Sequence, residues 1–402
     1  MAATRPTILQ IIPELDTGGA ELSAIEIAQA IVATGGRALV LSEGGRLADD
    51  LAAAGGELMP FPAATKNPVR IVRNGYEIAR LIRREKVDLI HARSRAPAWS
   101  ALIAARRTGI PFVTTYHGAY SETNALKKLY NSVMARADLI IANSRYTAGL
   151  VASRYKTPAD KLRVVHRGVE PSRFDPASIA PHRIEALRAS WGIGPDVPVI
   201  LHAARLTSWK GQEVVIEATR LLAEDGKLGS AVVIMAGDAQ GRDVYRDALL
   251  EQIAEAGLDG RVRLVGHVTD MPAALAASHL ALVASTEPEA FGRTATEAQV
   301  MGCPVIATAI GAPPETVLSC PHVSRDAATG WLVPPDDPRA LARAMAEALA
   351  LSSGERRAMG IRARAHVVSA FSLDAMKQQT LAVYDELLNT HLVEVFTTTS
   401  RS

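Results

Sequence analysis

The 402 residues include two cysteines, Cys303 and Cys320. That is too few for a disulfide framework or a four-ligand zinc site, so both read as reduced thiols and the expected compartment is cytoplasmic. No stretch reaches the ~18–20 apolar residues that a spanning helix needs, which excludes a transmembrane helix but not a place on a membrane surface. The polar start, Met1 to Pro6, runs into Thr7-Ile8-Leu9-Gln10-Ile11-Ile12 without a long apolar segment before it, so no secretory signal is expected. Low-complexity tracts and solenoid-length repeats are also missing, which sets aside disordered and repeat architectures. A formal net charge of only +2 gives no general attraction to nucleic acid.

What is present is a soluble globular composition, 48% hydrophobic and 21% charged. Single cores stop growing at roughly 250–300 residues, so two domains are expected. Short apolar runs alternate with amphipathic segments, the pattern of an α/β chain whose parallel sheets are buried on both faces. Strands are expected at 8–12, 38–41, 89–92, 112–115, 139–142 and 162–165, then at 199–203, 232–236, 262–265, 280–284 and 305–307. Between them, Glu170 to Pro198 is hydrophilic and proline-bearing, which places the domain boundary near residue 185. A last helix from Leu373 to Leu388 precedes residues 391–402, which read as a frayed tail.

Charge is unevenly distributed. From Thr65 to Arg136 there are fourteen Lys/Arg against four Asp/Glu, so the remainder is net acidic. Such a basic surface suits an anionic partner such as a lipid headgroup or a diphosphate-linked acceptor, although solvated helix faces would give the same count.

Loops at the carboxyl ends of parallel strands are where ligands bind in doubly wound sheets, so chemistry is sought there. After the strand ending near Ala284 comes Glu289-Ala290-Phe291-Gly292-Arg293-Thr294-Ala295-Thr296-Glu297. A glycine turn opening a helix makes an anion pocket, because the first N–H groups and the macrodipole favour negative charge. Glu297, one turn inside, is placed to accept hydrogen bonds from vicinal hydroxyls, and Glu289 to face whatever the phosphates carry. Without a ligand, the same two acids would be an early-helix acid and a loop charge. Arg205 and Lys210 lie on the loop after strand 199–203, where two cations can converge on a diphosphate. Gly18-Gly19 opens the first helix, and His117 ends a strand of the first half. A lone histidine at such a place is more often structural than functional.

Glu289, Phe291-Gly292, Glu297-Ala298 and Gly302-Cys303-Pro304-Val305-Ile306-Ala307 together resemble glycosyltransferase family 4 of the GT-B superfamily, the bacterial group 1 enzymes. Arg205-Leu206 followed by Lys210-Gly211 is similar to the family's diphosphate-binding loop. Gly18-Gly19, Thr114-Thr115-Tyr116-His117-Gly118, Asn143-Ser144, Val164 to Glu170 and Gly237-Asp238 fall at family-like turns. The resemblance runs from about residue 7 to 388 and is strongest over 199–310.

It implies a GT-B fold, two Rossmann-like parallel-sheet domains facing a central cleft. Residues 1–185 would form the acceptor side and 186–372 the nucleotide-sugar domain, with a helix over 373–390 returning to the first. The implied activity is retaining transfer of a hexosyl or acetylhexosaminyl unit from a UDP- or GDP-sugar to a glycan or lipid-linked anionic acceptor. That would serve cell-envelope polysaccharide, lipopolysaccharide or glycolipid synthesis, with peripheral contact at the inner face of the cytoplasmic membrane. The catalytic group would be His117, Glu289, Arg205 and Lys210. The donor would be held by Gly18, Gly19, Arg205, Lys210, Phe291, Gly292, Arg293 and Glu297. The resemblance calls for no cofactor beyond the donor and no metal, and no Asp-x-Asp pair is placed to hold one between protein and diphosphate. Lys66, Arg70, Arg93 and Arg95 are the expected anionic-acceptor group. Arg167 and Arg293 depart from common family residues and bear on sugar choice. A nicotinamide oxidoreductase is disfavoured because G-x-G-x-x-G follows neither leading strand. A catalytically silent member would be expected to have lost Arg205, Lys210, Glu289 or Glu297, and all four are present.

Overall fold

The computed structural model describes residues 5–16, 18–118, 120, 122 and 124–399. The chain forms two compact units, one of residues 1–168 with 373–402, the other of residues 169–372.

In the first unit β1 (Thr7–Ile11), β2 (Arg37–Ser42), β3 (Glu57–Pro60), β4 (Leu89–Ala92), β5 (Phe112–Tyr116), β6 (Leu139–Ala142) and β7 (Leu162–Val164) make one sheet in the order β3-β2-β1-β4-β5-β6-β7. Every pairing is parallel. The second unit repeats the plan with β8 (Val199–Ala203), β9 (Val232–Ala236), β10 (Val262–Gly266), β11 (Leu280–Val283), β12 (Val305–Thr308) and β13 (Gly330–Val333), ordered β10-β9-β8-β11-β12-β13. In both sheets the chain starts centrally, walks to one edge, then restarts on the other side. Strand order therefore reverses between β1 and β4 and between β8 and β11, and crevices open at such switch points.

Alternation along each strand divides the core. Val199 and Leu201 pack on one face of the second sheet, and Ile200 on the other. Central strands such as Val232–Ala236 are buried throughout, as covering both faces requires. β3 and β13 escape the sequence reading because their apolar runs are short, Leu58-Met59 between exposed Glu57 and Pro60, and Trp331 to Val333, of which Trp331 and Leu332 are half-buried.

Two expectations change. The division falls at Gly168/Val169 and not near 185. Val169, Phe174 and Ile179 are buried in the second unit's core, and the Val169 N–H donates to the Phe371 carbonyl at 2.9 Å. The proline-bearing stretch is thus tied down by its few apolar residues instead of acting as a linker. The expected frayed tail is also folded: Leu392–Thr399 is a helix whose Leu392 and Phe396 are 4% exposed, and Asp385 accepts from the Leu392 and Val393 N–H groups at 2.7 and 3.0 Å. Like the helix Leu373–Leu388, it packs in the first unit.

Candidate active site

In the second unit, Arg205 and Lys210 follow β8 and Glu289 follows β11, the two strands at the switch point. The Lys210 ammonium pairs with Glu289, whose Oε1 also accepts from the Ser285 hydroxyl at 2.7 Å. The two side chains are 18% and 12% exposed, so little water screens the pair. Lys210 Nζ also lies 4.1 Å from the centre of the Trp209 ring, a cation–π contact. The two loops are laced together by the Thr286 N–H, which donates to the Trp209 carbonyl at 2.8 Å. Arg205 is exposed, with its carbonyl held by Gln212 at 2.9 Å.

Glycines allow this close approach. Gly211 has φ +76°, and a Cβ there would stand 1.9 Å from the Ala284 carbonyl oxygen. A Cβ on Gly237 would stand 1.8 Å from the Ala204 carbonyl oxygen. Gly292, in the left-handed region at φ +79°, turns the chain into the helix Arg293–Val300. Arg293 and Glu297 are an i,i+4 pair at 3.6 Å. Phe291 is 3% exposed with its ring edge-on to Phe371 at 5.9 Å, so its side chain belongs to the core and only its backbone can meet a donor.

His202 lies on β8, 2% exposed. Burial first, then the Lys210 charge, pushes its pKa down to about 4, so it is neutral near pH 7.

The first unit holds a second cluster. Gly18 is the N-cap of the helix Gly19–Ala33, with Glu21 folded back over it, and the Gly19 carbonyl accepts from Arg167. His117, just past β5, receives a hydrogen bond at Nδ1 from Arg167 Nη2 at 2.9 Å. Under it runs a polar seam along the face of the sheet that packs on the helices Gly19–Ala33 and Leu373–Leu388. His91 bonds Tyr384 and Thr115, each at 2.7 Å, and Arg93 Nε donates to Gln10 at 2.5 Å.

The four cations expected to hold an acceptor do not share one environment. Arg93 is 3% exposed inside this seam. Arg95 is half-buried, donating to Asn131 at 2.8 Å and stacked 4.0 Å over the Tyr120 ring. Lys66 and Arg70 are exposed at the start of the helix Pro68–Glu85.

Sequence reasoning passed over Ser285, Trp209 and His202, and gave Arg167 no contact. Ser285, four residues before Glu289 at a strand end, carried the clearest signal. Among the described residues no three His, Cys, Asp or Glu side chains cluster as metal ligands would.

Residues 17–173 match the model of Glycosyltransferase Family 4, and residues 183–366 that of Glycosyl transferases group 1. The D-inositol 3-phosphate glycosyltransferase of Salinispora tropica is 32% identical over 334 residues, 78% of this chain and 67% of that one. Among solved structures, a glycosyltransferase from Rickettsia africae is 34% identical with TM-score 0.86, covering 96% of this chain and 100% of that one. Anabaena HepE, solved with UDP and glucose, is 26% identical with TM-score 0.80, covering 94% and 99%. With both halves matched by the family's models and the two sheets in place, this chain is a GT-B glycosyltransferase and belongs to family 4, the group 1 enzymes.

Proposed function

We propose that the chain is a retaining transferase that moves a hexosyl or acetylhexosaminyl unit from a UDP- or GDP-sugar to a hydroxyl of an anionic, phosphate-bearing or lipid-linked acceptor. The observation that carries this is the Lys210–Glu289–Ser285 cluster beside the glycine-opened helix at Arg293. Lys210, Arg205 and the first amides of that helix supply the positive potential that a departing nucleoside diphosphate needs as its charge develops. These groups take the electrostatic role a divalent ion plays elsewhere, so the reaction proceeds without metal or other cofactor. Glu289, held by Ser285, positions the sugar. On a front-face path the leaving phosphate oxygen accepts the acceptor's proton, and no enzymic nucleophile is required.

Two similarities support the substrates. HepE was solved with UDP and with glucose, and the Salinispora relative is named for a phosphorylated acceptor, inositol 3-phosphate. The helix Pro68–Glu85 exposes Val69, Val72 and Tyr76 beside Arg70 and Arg73, and the helix Ala125–Asn131 exposes Leu126 and Leu129 beside Lys127 and Lys128. Apolar side chains flanked by cations favour an anionic bilayer, which fits a cytoplasmic enzyme acting at the inner membrane face in cell-envelope glycan synthesis.

The test is a thermal-shift panel of UDP, GDP, ADP and their sugars with native protein, Lys210→Ala and Glu297→Ala. Stabilisation by one base series, lost in both variants, is expected. No response to any nucleotide would overturn the donor assignment. Product anomers read by NMR, activity in EDTA, and co-sedimentation with anionic against neutral vesicles check retention, metal independence and membrane contact.

A further inference from the structure

A cavity in the first unit, between the carboxyl ends of β4 to β7 and the helices Gly19–Ala33 and Leu373–Leu388, measures about 20 Å³, room for one water-sized oxygen. Arg93, His117, Asn143 and Arg167 all line it. Three of these lining residues each carry a buried side-chain atom with no hydrogen-bond partner among the described residues: Arg93 Nη2, His117 Nε2 and Asn143 Oδ1. Groups so buried are normally satisfied, so each calls for an explanation.

Arg167 supplies part of it. A guanidinium has donors and no acceptor, so the 2.9 Å contact from Arg167 Nη2 to His117 Nδ1 requires a lone pair on Nδ1. The ring proton then sits on Nε2, the ring atom that has no partner among the described residues. Arg167 is itself anchored through Nη1 to the Gly19 carbonyl and to Ser23 Oγ at 3.4 Å. Asn143 Nδ2 donates to the His117 carbonyl at 3.4 Å, which leaves Oδ1 as the acceptor.

We propose that Arg167 is a positioning residue that fixes His117 as a neutral Nε2–H donor, completing with Arg93 Nη2 and Asn143 Oδ1 a socket for one hydroxyl oxygen. Two donors and one acceptor complement an oxygen that accepts twice and donates once. A phosphoryl oxygen would set acceptor against acceptor at Asn143, so the socket reads an alcohol, with water as its occupant in the free protein. His117 acts as a donor and not as a general base. The surroundings agree. Burial first, then Arg167, Arg93 and His91, push its pKa well below 6.5. Glu26 and Tyr384, the other ionisable groups nearby, act on Arg93, and Tyr120 meets the His117 backbone.

This rests on the transferase reading for its substrate, but its first test does not. In full-length protein labelled with ¹⁵N-histidine, with His117 assigned from an H117Q spectrum, ring shifts report the tautomer directly. A protonated Nε2 and an unprotonated Nδ1, unchanged from about pH 5.5 to 8, are expected. A proton on Nδ1, or titration in that range, would overturn the assignment. Arg167→Met should mix the tautomers; unchanged His117 shifts in that variant would equally overturn it. Arg167→Ala, which likewise removes the donor, serves if the Met variant does not fold. In transfer assays with singly deoxyfluorinated nucleotide sugars, one position should lose roughly tenfold in kcat/KM, about one hydrogen bond, and that loss should shrink to a few-fold in the Arg167 variant. Equal losses in both proteins would sink the socket. If native protein transfers no sugar at all, the functional reading fails while the spectra still decide Arg167.

Discussion

Lys210 and Glu289 form a pair whose members should have opposite effects on nucleotide binding. Unit charges about 4 Å apart interact by roughly 4 kcal/mol at an effective dielectric of 20. A diphosphate reaching the Lys210 ammonium gains attraction of that order, but shares the cation with Glu289 and is repelled by its carboxylate. Lys210→Met, which keeps the stem and removes the charge, should therefore cost about 2–3 kcal/mol of nucleoside diphosphate affinity, roughly 30- to 150-fold in Kd. Glu289→Gln keeps a hydrogen bond with Ser285, releases Lys210 and removes the repulsion. Its diphosphate affinity should rise by about 1 kcal/mol, roughly fivefold. Transfer should nonetheless fall about 100-fold, since the sugar loses its positioning group. Titration calorimetry with UDP and GDP, beside a coupled assay of nucleotide release, separates the two effects, with a circular dichroism melt confirming that each variant folds. Both side chains are over four-fifths buried, so each single change carries some stability cost as well. If Glu289→Gln weakens diphosphate binding as much as Lys210→Met, the pair is merely a structural brace and the assignment is refuted.

Gly211→Ala should destabilise by about 2–4 kcal/mol in urea unfolding, since the Cβ meets backbone in the left-handed region, whereas Gly354→Ala, with nothing within 4 Å, should be neutral or stabilising. An equal effect at both positions would refute the close-approach argument. His202, with a pKa of about 4 when folded against about 6.5 unfolded, binds fewer protons in the native state. Its contribution is therefore complete above about pH 6.5 and is lost as pH falls towards 4, about 2 kcal/mol by pH 5. His202→Leu should flatten that part of the pH–stability curve, and an unchanged slope would contradict it. Phe396→Ala should cost about 3–5 kcal/mol by removing a buried ring from the first unit's core. A loss under about 0.5 kcal/mol in chemical denaturation would mean that the last helix does not dock.

Much of this protein is readable along the chain because its strands are short apolar runs buried on both faces, a local signal. β4, β6, β8 and β9 begin and end where the runs do. β3 and β13 do not show, since their apolar runs are only two and three residues long, Leu58-Met59 and Trp331 to Val333. Glu289, Glu297, Arg205 and Lys210 were legible because their spacing about a glycine turn is a local pattern. The sequence by itself thus determined two α/β halves and the loops that carry the candidate chemistry. Only the tertiary structure decided that Val169, Phe174 and Ile179 belong to the second core and the last helix to the first, since a few apolar side chains can find a core only once it exists. Likewise, Arg167 meets His117 from fifty residues away because β5 and β7 end at the same edge of one sheet. The tautomer of that imidazole is a property of the fold, because hydrogen-bond partners distant in sequence set it.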